Sequence, residues 1–356
     1  MKVLITGACG FLGGVLAAEL PRRGGGLRVL GLDNLVRPGS ESNRSVLRRR
    51  GVELRHGDLR LASDLEGLPA VDWVIDAAAN PSVLAGRDGR SSSRQVVEHN
   101  LLGTVNVLEY CKRTGAGFIL PSTSRVYSAA ALRALPLVQS GRAFRLDSAR
   151  GLPPGVSPRG VCQGFSTEPP LSLYGSSKLA AELLALEYGS AYSFPVWIDR
   201  CGVLAGAGQF GTAEQGIFSY WVHAWAGCRG LRYIGFNGRG LQVRDALHPA
   251  DLAELVWLQM RRGGRGARRV YDVGGGAANA MSLAELSAWC AGEFGPRPVG
   301  RQLRGRPYDV PWLVMDGAAA AADFGWKPRR GLPAILREIA AHARRHPHWL
   351  ELTGAR

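Results

Sequence analysis

Tyr174 and Lys178 stand four residues apart in Tyr174-Gly-Ser-Ser-Lys178, where helical periodicity begins that runs from 173 to 188. On a helix that spacing puts both side chains on one face, one turn apart. A tyrosine by itself ionises near pH 10, but an ammonium held beside it stabilises the phenolate and brings it toward the working range of a general base. Tyr-x-x-x-Lys is also a common surface spacing on helices, so position has to decide. The pair follows the fifth predicted strand, whose end, Pro121-Ser-Thr-Ser-Arg-Val-Tyr127, presents hydroxyls able to bind a substrate oxygen as hydride leaves its carbon.

Hydride chemistry needs an acceptor, and the start of the chain offers a place for one. Lys2-Val-Leu-Ile-Thr-Gly-Ala-Cys-Gly-Phe-Leu-Gly13 is an apolar run broken by Gly7, Gly10 and Gly13 in the pattern G-x-x-G-x-x-G. A phosphate needs bare backbone N–H groups and the partly positive start of a helix, and side chains in the turn would block its approach. Glycine-rich strand-to-helix turns also arise from geometry alone. The next apolar run, 27–32, ends in Asp33. It lies about twenty residues past the loop, where a dinucleotide fold places an acid on the adenosine ribose. Asp33 favours NAD over NADP, whose extra phosphate it would repel. The positive nicotinamide would then join Lys178 in stabilising the phenolate.

The elements that must carry these residues alternate. Segments 52–56, 73–76, 118–120 and 196–198 read as strands, and 95–112 and 173–188 as helices. Such alternation predicts an α/β fold, a Rossmann-type doubly wound parallel sheet with helices on both faces. Gly7, Asp33, Asp58, Ala78 and Thr123, each just past a strand, should line one crevice at the carboxyl ends of the strands. From about Val203 the pattern loosens into glycine-rich loops, a strand-like 241–244 and a helical tail after Ser282. The expected division is a dinucleotide-binding domain at 1–202, to which about 241–275 returns, and a smaller C-terminal substrate lobe at 203–356. Residues 270–273 are read as rejoining the first sheet.

The chain has 356 residues, 46% of them hydrophobic, enough for a large core. It contains no run of eighteen apolar residues, and Gly7 and Gly10 interrupt the amino-terminal apolar stretch, so a cytoplasmic protein without a membrane partner is expected. The net charge of +15 lies in short arginine clusters without interleaved aromatics. That favours a small acidic ligand over nucleic acid. Six scattered cysteines form no C-x-x-C pair and fit reduced thiols. His342, His346 and His348 lack a second group of ligands. They are read as residues of an exposed terminal helix, and no metal is expected.

Taken together, these residues resemble the extended short-chain dehydrogenase/reductase family, the nucleotide-sugar epimerases and dehydratases, along nearly the whole chain. Thr6-Gly-Ala-Cys-Gly-Phe-Leu-Gly13 is similar to the family's cofactor loop, His56-Gly-Asp58 to its adenine-contacting acid, and Asn100-Leu-Leu-Gly-Thr-Val-Asn106 to its central helix. In the second half, 242–245, 247–252, 274–279 and 324–328 resemble its landmarks. The resemblance implies that NAD is held by Gly7, Gly10, Phe11, Leu12, Gly13, Asp33, Asn34, Asp58, Leu59, Ala77, Ala78, Ala79 and Asn100, with Tyr174 and Lys178. It implies that Thr123, Tyr174 and Lys178 are catalytic. Ser124, Arg125, Gln209, Arg244 and Arg306 would contact a nucleoside-diphosphate sugar, with Arg244 and Arg306 on the diphosphate, a use suited to bidentate guanidinium groups. A homodimer through the helices at Gln95 and Leu173 is also expected.

Within the family, Ser122-Thr-Ser-Arg-Val-Tyr127, Gln242-Val-Arg-Asp-Ala-Leu-His248 and Gly206-Ala-Gly-Gln-Phe-Gly211 look most like the CDP-paratose (CDP-tyvelose) 2-epimerase type. Family dehydratases carry Asp-Glu after the threonine, and decarboxylating members carry glutamate at the second position. Here Ser124 and Arg125 stand there, which leaves oxidation followed by hydride return as the expected chemistry. A 4-epimerase, a dehydrogenase or reductase, a dehydratase and a non-catalytic NAD-binding protein are the alternatives. Three features depart from the family pattern. Asp76 stands where relatives usually show histidine, 306–310 only partly keeps its motif, and 51 residues separate Thr123 from Tyr174. The extra segment, 129–170, is read as a lid over the sugar or else a surface insertion, with the lid preferred.

Overall fold

Strands and helices alternate as the apolar pattern requires in the computed structural model, which describes residues 1–87, 89 and 92–355. In chain order the strands are β1 (Lys2–Thr6), β2 (Arg28–Asp33), β3 (Glu53–His56), β4 (Trp73–Asp76), β5 (Gly117–Thr123), β6 (Leu137–Ser140), β7 (Ala143–Leu146), β8 (Val156–Ser157) and β9 (Gly160–Val161). There follow β10 (Val196–Cys201), β11 (Val203–Leu204), β12 (Arg232–Ile234), β13 (Val243–Leu247), β14 (Val270–Val273), β15 (Ala280–Ser282), β16 (Gly300–Gln302) and β17 (Trp312–Leu313). Seven of them form a parallel, doubly wound sheet in the order β14-β10-β5-β4-β1-β2-β3. The central β4 and β5 are buried along their whole length because helices cover both faces. Alternation sorts the side chains of β1: Val3 and Ile5 pack against Leu16, Leu20 and Val256, while Leu4 meets Val107, Leu108 and Ala181 on the opposite face.

The chain leaves β1 toward β2 and β3, then crosses back to lay β4 on the other side of β1. Such a reversal opens a crevice at the strand ends. Asp76 pins the two strands across it. Its buried carboxylate accepts hydrogen bonds from the Thr6 hydroxyl at 2.6 Å and the Thr104 hydroxyl at 2.7 Å, and the Ala78 N–H donates to Thr6 Oγ1 at 3.1 Å. The acid that departs from the family pattern thus ties strand to strand and to a helix. The helix read at 95–112 is broken: Ser93–Val97 and Gly103–Thr114 flank a π-helical turn, Glu98–Leu102. The turn presents Asn100 inward, where its side chain accepts from the Asn80 N–H at 2.7 Å and donates to the Asn80 carbonyl and the Ser177 hydroxyl.

β11, β13 and β15 form a second sheet, with β17 also paired to β13, and β12 pairs separately with β16. Its core is Phe218, Trp221, Trp225, Leu286, Ile335 and Ile339. The strand read at 241–244 runs Val243–Leu247 and belongs to this second sheet, because it pairs with Trp312 and Ser282. The return to the first sheet therefore begins with the Pro249–Arg262 helix, which packs on the Phe11–Arg23 helix, and ends with β14 beside β10.

Residues 129–170 line none of the cleft described below, which overturns the preferred lid. They hold two antiparallel hairpins, β6 with β7 and β8 with β9, that pack on the side of the second lobe. Phe144 N–H donates to the Leu241 carbonyl at 3.0 Å, Val161 N–H to the Val314 carbonyl at 2.8 Å, and Arg159 pairs with Asp316 at 3.1 Å. Leu132, Leu135, Phe165, Val243, Trp312 and Met315 make a shared core there. His342 is a second correction, because it is buried and its Nδ1 lies 3.0 Å from His223 Nε2. Among the described residues no helix is long and apolar enough to cross a membrane.

Candidate active site

A cleft of about 860 Å³ runs between the ends of the parallel strands and the second lobe. At one end lie Gly7, Gly10, Phe11, Leu12 and Gly13. Gly7 has φ +61°, and a Cβ on it would stand 2.8 Å from Ala78 Cα, while one on Gly13 would stand 2.1 Å from the Gly7 carbonyl oxygen. Only glycine lets strand, turn and helix approach this closely. The Phe11–Arg23 helix starts at Gly10 with no side-chain cap and no acid in its first turn, which leaves its N-terminus suited to an anion. Asp33 bounds the same end, accepting from the Cys9 N–H at 2.8 Å and the Leu35 N–H at 2.7 Å. Asn34, Ala77, Ala78 and Ala79 complete this wall.

Thr123 closes β5 and its hydroxyl accepts the Arg125 N–H at 3.1 Å. Tyr174 comes from the Leu173–Ala191 helix, whose Ser172 cap accepts the Gly175 N–H at 3.0 Å. A Cβ on Gly175 would stand 2.3 Å from the Arg125 carbonyl oxygen, so this glycine lets the helix start press against the loop that carries Thr123. Burial pushes the Tyr174 phenol above its ordinary value; a polar contact with Thr123 and the charge of Arg125 draw it back, while Cys201 raises it. Lys178, one turn along the same helix, is buried, which lowers its pKa, and the charges of Asp76, Glu182 and Cys201 oppose that shift.

At the opposite end Ser124, Arg125, Gln209, Arg244 and Arg306 line the cleft together. Arg244 donates to the Val243 and Val310 carbonyls, each at 2.8 Å, and to Asp309 at 3.3 Å. Burial and the charge of Arg125 push its pKa down to about 10. Arg306 donates to the Ala213 carbonyl at 2.6 Å, and Gln209 to the Leu204 carbonyl at 2.7 Å. The side-chain oxygens of Gln209 and Gln242, both cleft residues, are buried without a partner among the described residues.

Asp58, Leu59, Asn100 and Lys178 are not among the lining residues. Asp58 accepts three bonds from Arg60, one of them from its backbone N–H, and one from Asn34, and these hold its carboxyl well below the usual range. Leu59 is buried against Gly103. Spacing in the sequence did not point to Asp309, Arg232 or Gln302, which also line the substrate end. Beneath the floor runs a chain of polar contacts that motif matching also missed. Ser122 donates to Glu182, Arg200 to Glu182, and Tyr127 to Asp272 at 2.7 Å; burial raises the Asp272 carboxyl to about 8.

A sequence model of the NAD dependent epimerase/dehydratase family matches residues 3–274. A CDP-paratose 2-epimerase of Salmonella typhi is 29% identical over 302 residues, 80% of this chain and 82% of that protein. A dTDP-glucose 4,6-dehydratase of Streptomyces antibioticus is 29% identical over 364 residues, 99% of this chain and 95% of its own. Among solved structures, a UDP-glucose 4-epimerase of Thermus thermophilus in complex with NAD superposes with a TM-score of 0.71 at 25% identity, covering 97% of this chain and 99% of the other. A Bifidobacterium longum UDP-glucose 4-epimerase, with NAD+ and UDP, has the same fold with a TM-score of 0.77 at 20% identity, covering 98% and 100%.

Proposed function

The chain belongs to the NAD dependent epimerase/dehydratase family, and from that premise we propose that it inverts one carbon of a nucleoside-diphosphate sugar by oxidation to a ketose and reduction from the other face. The observation that carries this is one cleft holding a glycine cradle, the Thr123–Tyr174 pair and a cluster of arginines, in that order of chemistry. The uncapped helix start, Asp33 and the small Ala77–Ala79 wall fit a dinucleotide. When bound, NAD supplies the acceptor and donor of hydride.

Tyr174 takes the proton of the sugar hydroxyl and returns it in the second half of the cycle. Thr123 bonds the same oxygen as charge develops on it. Lys178, one turn along the helix, holds the cofactor ribose. Gly7, Gly10 and the first turn of the Phe11–Arg23 helix bind the cofactor diphosphate, and Arg244 and Arg306 that of the substrate. The Ser124-Arg125 pair supports epimerisation over dehydration, because the loop after Thr123 offers no carboxylate to move a carbon-bound proton. Of the acids lining the cleft, Asp33 is engaged at the cofactor end and Asp309 by Arg244, and Glu214 comes from the second lobe, not from the loop after Thr123. The CDP-paratose 2-epimerase likeness is the finer form of this proposal.

The test is Tyr174→Phe assayed with CDP-paratose and UDP-glucose. Loss of the general base should lower turnover by about 10²- to 10⁴-fold while bound NAD, read by absorbance after denaturation, is retained. Normal turnover in the variant would remove the assignment. Stoichiometric consumption of added NADH would favour a net reductase instead.

A further inference from the structure

Arg125 lies two residues beyond Thr123 and lines the cleft with Tyr174. Among the described residues its guanidinium makes one hydrogen bond, from Nη1 to the Tyr308 carbonyl at 3.2 Å, and no ion pair. Its remaining donors therefore have no protein partner at the cleft wall. Arg244 lines the same cleft, the Arg125 charge acts on it, and Asp309 is the carboxylate that acts on both cations. Two guanidinium groups held together around one carboxylate repel each other unless a ligand adds negative charge.

The arrangement is buttressed from outside the cleft. Arg133, in the 129–170 insertion, donates through Nε to the Asp309 carbonyl at 2.8 Å. Leu132 and Val161 of the insertion share a core with Val310 and Trp312. The insertion thus fixes the segment that carries Tyr308 and Asp309 against Arg125.

We propose that Arg125 joins Arg244 in binding the diphosphate at the anomeric end of the sugar, and so turns the ring to present carbon 2, not carbon 4, to Tyr174. Carbon 2 is one bond from the anomeric carbon, whereas carbon 4 lies across the ring. Bound by both arginines, the diphosphate is drawn toward the Thr123 end of the cleft that these residues share, and the neighbouring carbon 2, not the far side of the ring, meets the phenol. A diphosphate bound only by Arg244 and Arg306 would let the ring extend and bring carbon 4 forward. This assignment rests on the epimerase proposal above and adds the position of attack.

The experiment uses the NAD-loaded enzyme with CDP-paratose and with UDP-glucose, each deuterated at carbon 2 or carbon 4. Its readouts are the primary isotope effect and the product configuration by NMR. The wild type should show the isotope effect and inversion at carbon 2. Arg125→Met should lose about 10- to 100-fold in kcat/KM, the worth of a charge-assisted contact, with any residual inversion moving to carbon 4. Arg125→Lys should recover part of the carbon 2 activity, which guards against a folding defect in the methionine variant. Inversion at carbon 4 by the wild type overturns this inference and leaves the epimerase standing, and so does an Arg125→Met enzyme that works normally at carbon 2. No inversion of either sugar at either carbon removes the epimerase proposal and this inference with it.

Discussion

Arg200 grips Glu182 from one side, its Nε and Nη2 donating to the same carboxylate oxygen at 3.0 and 2.8 Å, with both side chains almost wholly out of water. Glu182 lies one turn beyond Lys178 on the helix that carries Tyr174, and its other oxygen takes the Ser122 hydroxyl beside Thr123. The pair therefore locks the helix to the end of β5. Removing one partner of a buried pair strands the other charge, so Arg200→Met should cost about 3–5 kcal/mol of stability. Urea unfolding measures it. A loss under about 1 kcal/mol, the range of a surface pair, would mean that water reaches Glu182.

The phenol of Tyr174 is pulled upward by burial and downward by Thr123 and Arg125. Because the base must be deprotonated to accept a proton, activity should rise with pH along a limb set by this group. Thr123→Val deletes a contact that favours the phenolate, so the phenol pKa rises and the limb should move to higher pH. The readout is kcat/KM against pH. A limb that stays in place while kcat falls would assign Thr123 to the substrate oxygen alone.

Local signals made the cofactor end legible. Gly7, Gly10 and Gly13 are dictated by close backbone approach, and Asp33 by its place at a strand end, so short-range spacing carries both. Tyr174 was legible for the same reason, since a strand end and a helix start converge on it. The electrostatic surroundings of Lys178 were not, because they depend on Asp76 and Glu182, 102 residues before it and four after it in sequence. Residues 129–170 carry proline and glycine like a mobile flap, yet their partners, Leu241, Val314 and Asp316, come from far along the chain. Burial of His342 likewise depends on His223, a contact that no periodicity encodes.

Leu183 is 59% exposed on the Leu173–Ala191 helix, and Val97 and Leu102 are exposed on the neighbouring Ser93–Val97 and Glu98–Leu102 turns. An apolar face of this kind on two adjacent helices suits a second copy of the chain and supports the expected homodimer. Leu183→Glu would bury a carboxylate on each side of such an interface. Sedimentation should then show a dimer for the wild type and a shift toward monomer for the variant. A monomeric wild type at micromolar concentration would end this expectation.

His223 and His342 make the chain sensitive to acid. The His223 Nδ1–H points to the Ser219 carbonyl at 2.8 Å, so its Nε2 is the acceptor and His342 Nδ1 must be the donor at 3.0 Å. That proton arrangement is complete with both rings neutral. Burial, followed by His223, His346 and Arg345, lowers the His342 pKa to about 3, and only Glu338 opposes them. The same ring in the unfolded chain titrates near 6.5. Between those values the unfolded state binds a proton that the folded state refuses, so stability is full above about 6.5 and falls as pH drops toward about 3. His342→Gln, which cannot take up that proton, should flatten the acid limb of a thermal-melting profile while lowering stability at neutral pH through lost packing on Trp349. An acid limb of unchanged slope would place the sensitivity in other groups.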